Sequence, residues 1–218
     1  MTWYQTPTET VLGELRTDRT TGLTQQEAAS RLAEHGRNEL TGTGTKSPWK
    51  ILWEQLTALM VVILIIAGVV SALLGDLKDA VAIGAIVVLN AILGFSQEYR
   101  AEQAMAALKK LSVPLTRVRR EGDVQEISSL DLVPGDLVLL EAGNFVPADS
   151  RVVETAELQV QEAALTGESE PVRKDPAAIE QAELPLGDRL NMVYMGTFVT
   201  AGRGLAVVTD TGMGTELG

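Results

Sequence analysis

Residues 56–74 read LTALMVVILIIAGVVSALL and residues 80–97 read AVAIGAIVVLNAILGFSQ, and neither run contains a formal charge. At about 1.5 Å per helical residue each run spans roughly 27–29 Å, close to the ~30 Å hydrocarbon layer of a bilayer. Leu, Ile, Val and Ala dominate, without the polar stripe by which a helix of a soluble protein meets water. The pair therefore predicts a two-helix transmembrane hairpin, in preference to a hairpin buried inside a large soluble core.

The flanks orient it. Lys46 and Lys50 precede the first run, Arg100, Lys109 and Lys110 follow the second, and the connecting Gly75-Asp76-Leu77-Lys78-Asp79 carries one Lys against two Asp. The positive-inside rule places both chain ends in the cytoplasm, as parts of a multi-pass protein of the cell membrane. Trp49 and Trp53, one turn apart where the first helix would enter the membrane, suit the headgroup layer and equally suit packing against the soluble part. The opening residues are polar and acidic and the apolar run starts beyond residue 50, which is not the pattern of a cleaved signal peptide.

Outside the apolar runs the composition is that of a soluble protein. The 218 residues carry a net charge of −11 and no cysteine. Most of the negative charge falls from Glu98 onward, and such a surface repels phosphate backbones, so nucleic acid is not an expected partner. The lack of thiols excludes disulfides and thiolate metal sites and fits a reducing compartment.

Residues 8–36 read as two short helices. Thr24-Gln25-Gln26-Glu27 is a capping box, Leu23, Ala28 and Leu32 form an apolar side, and Gly36 marks the stop. Thr41-Gly42-Thr43-Gly44-Thr45 breaks the periodicity as a linker, and Pro48 stands near the start of the next helix. Residues 98–111 continue the second apolar helix as a stalk, with Ala101, Met105, Leu108 and Leu111 on one side. That extension suits mechanical coupling to the membrane as well as a plain solvated helix.

From Val113 the period changes toward two. Strands are expected at 116–120 and 124–127, joined at Glu121-Gly122-Asp123, and then at 137–140, 151–153, 158–160, 195–199 and 205–209. The whole reads as an α+β membrane protein in three parts: a helical module over 1–45, the hairpin and stalk over 46–112, and a mostly β, jelly-roll-like domain over 113–218.

Enzymatic constellations are sparse. The one histidine, His35, ends a helix beside Gly36, where it suits the helix dipole. No GxxxxGK[ST] phosphate loop occurs. Gly202-Arg203-Gly204 and Gly212-Met213-Gly214 read as strand-connecting turns, and Asp149 reads as a turn or capping residue. What remains is Leu165-Thr166-Gly167-Glu168-Ser169-Glu170-Pro171-Val172. Upstream of it stand Val133-Pro134-Gly135-Asp136-Leu137-Val138, Gly143 and Pro147-Ala148-Asp149-Ser150-Arg151. Downstream follow Val172-Arg173-Lys174 and Asn191-Met192-Val193-Tyr194-Met195-Gly196-Thr197.

That ordered set resembles the actuator domain of the P-type ATPases, with Thr166, Gly167, Glu168 and Ser169 matching the family's signature loop. Gly22-Leu23-Thr24 through Asn38-Glu39-Leu40 resembles the N-terminal module of the cation pumps. Asn90-Ala91-Ile92-Leu93-Gly94-Phe95-Ser96-Gln97-Glu98 resembles their second membrane helix, and the nearest branch is type II, which includes calcium pumps. The resemblance implies that residues 113–218 are an actuator domain promoting hydrolysis of an aspartyl phosphate. Such hydrolysis needs a water held in line with phosphorus, and a carboxylate can accept its hydrogen bond and share its proton. Glu168 is the candidate. Gly167 would let backbone approach the phosphate without a Cβ, while Thr166 and Ser169 suit either a direct role or loop hydrogen bonding.

The resemblance also implies Mg2+ and ATP in the complete pump, with neither bound by this segment. The implied partners are the lipid bilayer, the remaining pump domains and a transported cation, calcium by branch, with sodium, protons and manganese open. One departure is Gln161-Glu162 after Val160, where the family often carries an acidic residue. The larger one is the missing Asp-Lys-Thr-Gly-Thr run. The sequence is accordingly expected to be the front fragment of a pump, unable alone to hydrolyse ATP or move ions. The other expectation it leaves open is a free-standing two-helix membrane protein whose β domain binds a partner or regulates a full pump.

Overall fold

The computed structural model describes residues 2–40, 47–111 and 114–218. The expected linker 41–45, Lys46 and the change of period at Val113 lie outside the described residues, as do the side chains of Leu108, Lys109, Lys110 and Leu111. Two compact units emerge, Met1–Thr41 with Val113–Gly218, and Gly42–Ser112.

The first unit is built on an antiparallel sheet. Its strands are β1 (Leu115–Arg120), β2 (Asp123–Ser128), β3 (Leu137–Glu141), β4 (Asp149–Gln161), β5 (Val172–Arg173), β6 (Met192–Val193) and β7 (Phe198–Asp210). They lie in the order β2-β1-β3-β7-β4-β5, with β6 beside β4. The β1–β2 hairpin closes through Glu121 and Gly122, both at positive φ, with Arg120 facing Asp123. This is the geometry of a tight two-residue turn whose twist matches the strands.

Alternation along the strands sorts two apolar layers. Val138, Val152, Ala206 and Val208 face the main core with Val118 and Leu158. Their neighbours Leu137, Val153, Leu205 and Val207 face the other way, onto Val11 and Leu12 of helix α1 (Thr8–Glu14). Side chains one residue apart point to opposite faces, so a strand buried on both sides reads as a continuous apolar run. Each fully buried Val or Leu contributes about 1.5–3 kcal/mol. Helix α2 (Gln25–His35) begins at the Thr24–Glu27 capping box and ends at Gly36. Ala28 and Leu32 of α2 pack with Leu23 and Val133.

Two expectations are corrected here. The segments 151–153 and 158–160 are one strand, β4, whose register against β7 shifts between Ala156 and Gln159, where Glu157 takes φ 55°. Likewise 195–199 and 205–209 do not form two strands around a turn. Met195-Gly196 lies in a turn, and Gly202-Arg203-Gly204 lies inside β7. The cause is the bulge. Gly202 takes φ 73° opposite Glu157, and a Cβ there would collide with the Glu157 carbonyl, so the glycine serves close strand approach and not chain reversal. Gly212–Gly214 is a short 3-10 turn.

The second unit is helical: α3 (Pro48–Leu56), α4 (Leu59–Leu73) and α5 (Leu77–Leu111). The first apolar run does not form one helix with the residues before it. Axes of α3 and α4 meet at 59°, and Ala58 between them is extended at φ −59°, ψ 134°. Trp49 and Trp53 thus belong to α3, ahead of the bend, and are 79% and 68% exposed. The second run and residues 98–111 form a single helix. Among the described residues, the one helix long and apolar enough by itself to cross a bilayer is Leu77–Met105. Gly68 lets α4 approach Ile83 of α5 closely, the small-residue contact by which apolar helices pack.

Candidate functional site

The loop between β4 and β5 carries all four residues singled out as a site. β5 pairs with the end of β4 through Gln159 with Arg173 and Val160 with Val172, which brings the two feet of the loop together. Between them stands a single helical turn, α6 (Ala163–Thr166). Leu165 of that turn packs into a small cluster with Tyr4, Met192 and Tyr194, fixing α6 to the body of the domain.

Gly167 ends the turn at φ 78°, ψ −5°, and its N–H donates to the Ala163 carbonyl at 3.0 Å. A left-handed residue here reverses the chain, and Gly adopts it without the Cβ penalty. The Thr166 hydroxyl donates to the Glu162 carbonyl at 3.1 Å and accepts the Glu168 N–H at 3.2 Å. Glu168 is therefore tied through its backbone, while its carboxylate is exposed and has no hydrogen bond or ion pair among the described residues. Ser169 is exposed too, and its carbonyl accepts Gln161 Nε2 at 3.1 Å, so Gln161 braces the exit of the loop. The loop thus brings Thr166, Gly167 and Glu168 into one hydrogen-bonded turn, with Ser169 attached through its backbone alone.

Beneath the loop lies a pair that a linear reading passes over. Lys174 Nζ stands 2.6 Å from Glu162 Oε1, with both side chains buried. Beyond this ion pair neither head group has a partner among the described residues. Burial pushes the Glu162 carboxyl up and the Lys174 ammonium down, and each charge opposes the shift in the other. In the sequence, Glu162 and Lys174 look like two ordinary surface charges. Their places on either side of the Thr166–Ser169 loop are the signal the sequence offers.

Asp149, another acidic residue of the motif set, is buried and accepts the N–H groups of Met195 at 2.8 Å and Glu216 at 2.7 Å. Burial pushes its pKa up to about 6, with the charges of Asp210 and Glu216 adding to the effect. Asp149 lines a cavity of about 390 Å3 together with Trp3, Tyr4, Arg189, Tyr194 and Glu216. None of the four loop residues lines it, and the Glu168 carboxylate is exposed. His35 lies in the last turn of α2 and is exposed, remote in sequence from the loop.

Comparison with known proteins agrees with the order of these features. A family model described as the P-type ATPase actuator domain matches residues 110–218, and one described as the cation transporter/ATPase N-terminus matches residues 3–71. The chain is 44% identical over 220 residues to calcium-transporting ATPase 1 of Bacillus cereus, covering 99% of this chain and 25% of that protein. It is 47% identical over 197 residues to a calcium-transporting ATPase of Bacillus subtilis, covering 90% and 22%. A sodium/potassium exporting P-type ATPase of Schizosaccharomyces pombe is 42% identical over 217 residues, covering 99% and 21%. The chain spans about a quarter of the length of these relatives.

Proposed function

We propose, from the premise that this chain belongs to the P-type ATPase family, that it is the actuator-bearing front part of an ATP-driven cation pump. The observation that carries this reading is the exposed Glu168 carboxylate, unpartnered and presented by a turn locked through Thr166 and Gly167. A group meant to reach another domain must be held in place by its backbone while its side chain stays free. In this reading Glu168 enters the phosphorylated domain, accepts a hydrogen bond from a water in line with the aspartyl phosphate, and takes its proton as the water oxygen bonds to phosphorus and the aspartyl oxygen leaves. Ser169, exposed beside it, is assigned to the same loop surface.

The described residues contain no group of three or more His, Cys, Asp or Glu side chains fit to hold a metal ion. Magnesium and ATP, implied by the family, are assigned to the remaining pump domains, and no step on this chain passes through them.

The reading divides the chain into an N-terminal module (1–45), a membrane hairpin with stalk (46–112) and an actuator (113–218) whose bulged antiparallel sheet is its jelly-roll-like core. Support for the hairpin comes from exposed apolar side chains on α4 and α5: Leu59, Ile66, Leu73, Val81, Leu89 and Ile92 are each 58% or more accessible. So large an apolar surface is costly in water and favourable in lipid. Both soluble parts are assigned to the cytoplasm from the flanking cations. The unbroken α5 suits transmission of actuator movement to the membrane. Calcium is the proposed cargo, on the names of the Bacillus relatives.

The test is Glu168→Gln in the complete pump. Phosphoenzyme formed from ATP should accumulate normally and decay at least about a hundredfold more slowly, the scale of losing a general base. Parental turnover in that variant refutes the assignment.

A further inference from the structure

We infer that the buried Glu162–Lys174 ion pair is a clamp that positions the loop carrying Glu168. The inference rests on the actuator reading above, in that it assigns the clamped loop to phosphoenzyme hydrolysis.

The geometry is a continuous path. Lys174 follows β5, and its backbone N–H donates to the Leu158 carbonyl at 2.9 Å, so it marks the far foot of the loop. Its ammonium meets the carboxylate of Glu162, the near foot, at 2.6 Å. The carbonyl of that same Glu162 accepts the Thr166 hydroxyl at 3.1 Å and the Thr166 N–H at 3.0 Å. The Thr166 hydroxyl in turn accepts the Glu168 N–H at 3.2 Å. Glu162 is thus the one residue that holds both the distant foot, through its side chain, and the signature turn, through its backbone.

Burial makes the pair selective for this arrangement. The two side chains are 1% and 0% exposed, and the nearby Tyr194 hydroxyl is also buried without a hydrogen-bond partner. Separating the feet would leave each buried group without the opposite charge that offsets its desolvation. Yet a buried ion pair adds little net stability over apolar residues of similar volume, because desolvation offsets attraction. What it adds is dependence on geometry: the attraction is largest only when both feet sit at one separation.

The test separates positioning from stability. In this chain, reconstituted in lipid nanodiscs, Glu162→Gln/Lys174→Met should melt within a few degrees of the parent. Amide hydrogens over 163–171 should nevertheless exchange about tenfold faster or more, a local opening the melt does not report. Parental exchange in that variant overturns the clamp. Should the double variant fail to fold, Glu162→Asp keeps both charges and draws the carboxylate back from Lys174 by one methylene. Its loop amides should likewise exchange about tenfold faster, and parental exchange there overturns the inference equally.

In the complete pump, the variant with the loosened loop should slow phosphoenzyme decay about tenfold, with formation from ATP and its KM unchanged. Normal decay there, while Glu168→Gln blocks decay, overturns the positioning role alone. Normal decay in both refutes the catalytic reading, while the accelerated exchange still establishes the clamp.

Discussion

Arg120 grips Asp136 through two hydrogen bonds, Nε to Oδ1 at 2.8 Å and Nη2 to Oδ2 at 2.7 Å, with both side chains buried. Asp136 Oδ2 also accepts the Val133 N–H at 3.0 Å. One carboxylate therefore joins β1 to the turn before β3. Asp136→Ala leaves the guanidinium buried and unpaired, and should cost about 3–5 kcal/mol. Thermal unfolding of the chain in detergent checks this, and a loss under 1 kcal/mol would show the pair to behave as a surface bridge.

Asp149 predicts a pH dependence. Its folded pKa, about 6, lies above the ordinary value of 3.8, so the folded state holds the proton more tightly than the unfolded chain. The corresponding stability is fully present below pH 3.8, declines as pH rises, and is gone above about 6. The change is about 2–3 kcal/mol over that window. Asp149→Asn should flatten it. Comparing unfolding midpoints at pH 5 and pH 7.5 in both proteins reads the difference, and identical slopes would remove Asp149 as the cause.

Gly167 separates strain from crowding. A Cβ there meets nothing within 4 Å, but φ is 78°. Gly167→Ala should therefore cost about 1–2 kcal/mol from the left-handed backbone alone. Asn, which tolerates that region, should cost less. In the complete pump, phosphoenzyme decay should follow the same order, with Gly fastest, then Asn, then Ala. Equal decay in Ala and Asn variants would show that the turn's backbone is not what matters.

The absence of cysteine makes topology directly measurable. With single substitutions, Asp76→Cys, in the connection between α4 and α5, should react with a membrane-impermeant maleimide added to intact cells. Glu126→Cys, on exposed β2, should react only after permeabilisation. The reverse pattern would invert the proposed orientation.

The two apolar runs, the capping box at Thr24 and the hairpin at Glu121-Gly122 were legible because local chemistry decides them. The bend at Ala58 was not: its neighbours are apolar on both sides, and nothing in 56–74 marks an interruption. The strands around Glu157 and Gly202 were misplaced for a different reason. A glycine that relieves a close approach between strands looks the same in sequence as one that turns a chain. At the candidate site, Thr166 to Ser169 stood out by motif, but Glu162 and Lys174 matter through a contact across a loop, and their charges alone suggest solvent. Asp149 was read as a turn residue, and its two backbone partners, Met195 and Glu216, lie 46 and 67 residues away.

The buried Arg151 carries a practical lesson. Its guanidinium donates to the carbonyls of Trp3 at 3.2 Å, Thr6 at 3.3 Å and Pro176 at 3.0 Å, and Asn191 Nδ2 donates to the carbonyl of Tyr4 at 2.8 Å. The β module therefore borrows its lining from the opposite end of the polypeptide. Excising it at residue 113 for expression would strip a sequestered cation of its Trp3 and Thr6 acceptors, whereas fusing 2–40 to 114–218 through a short spacer keeps those acceptors in reach.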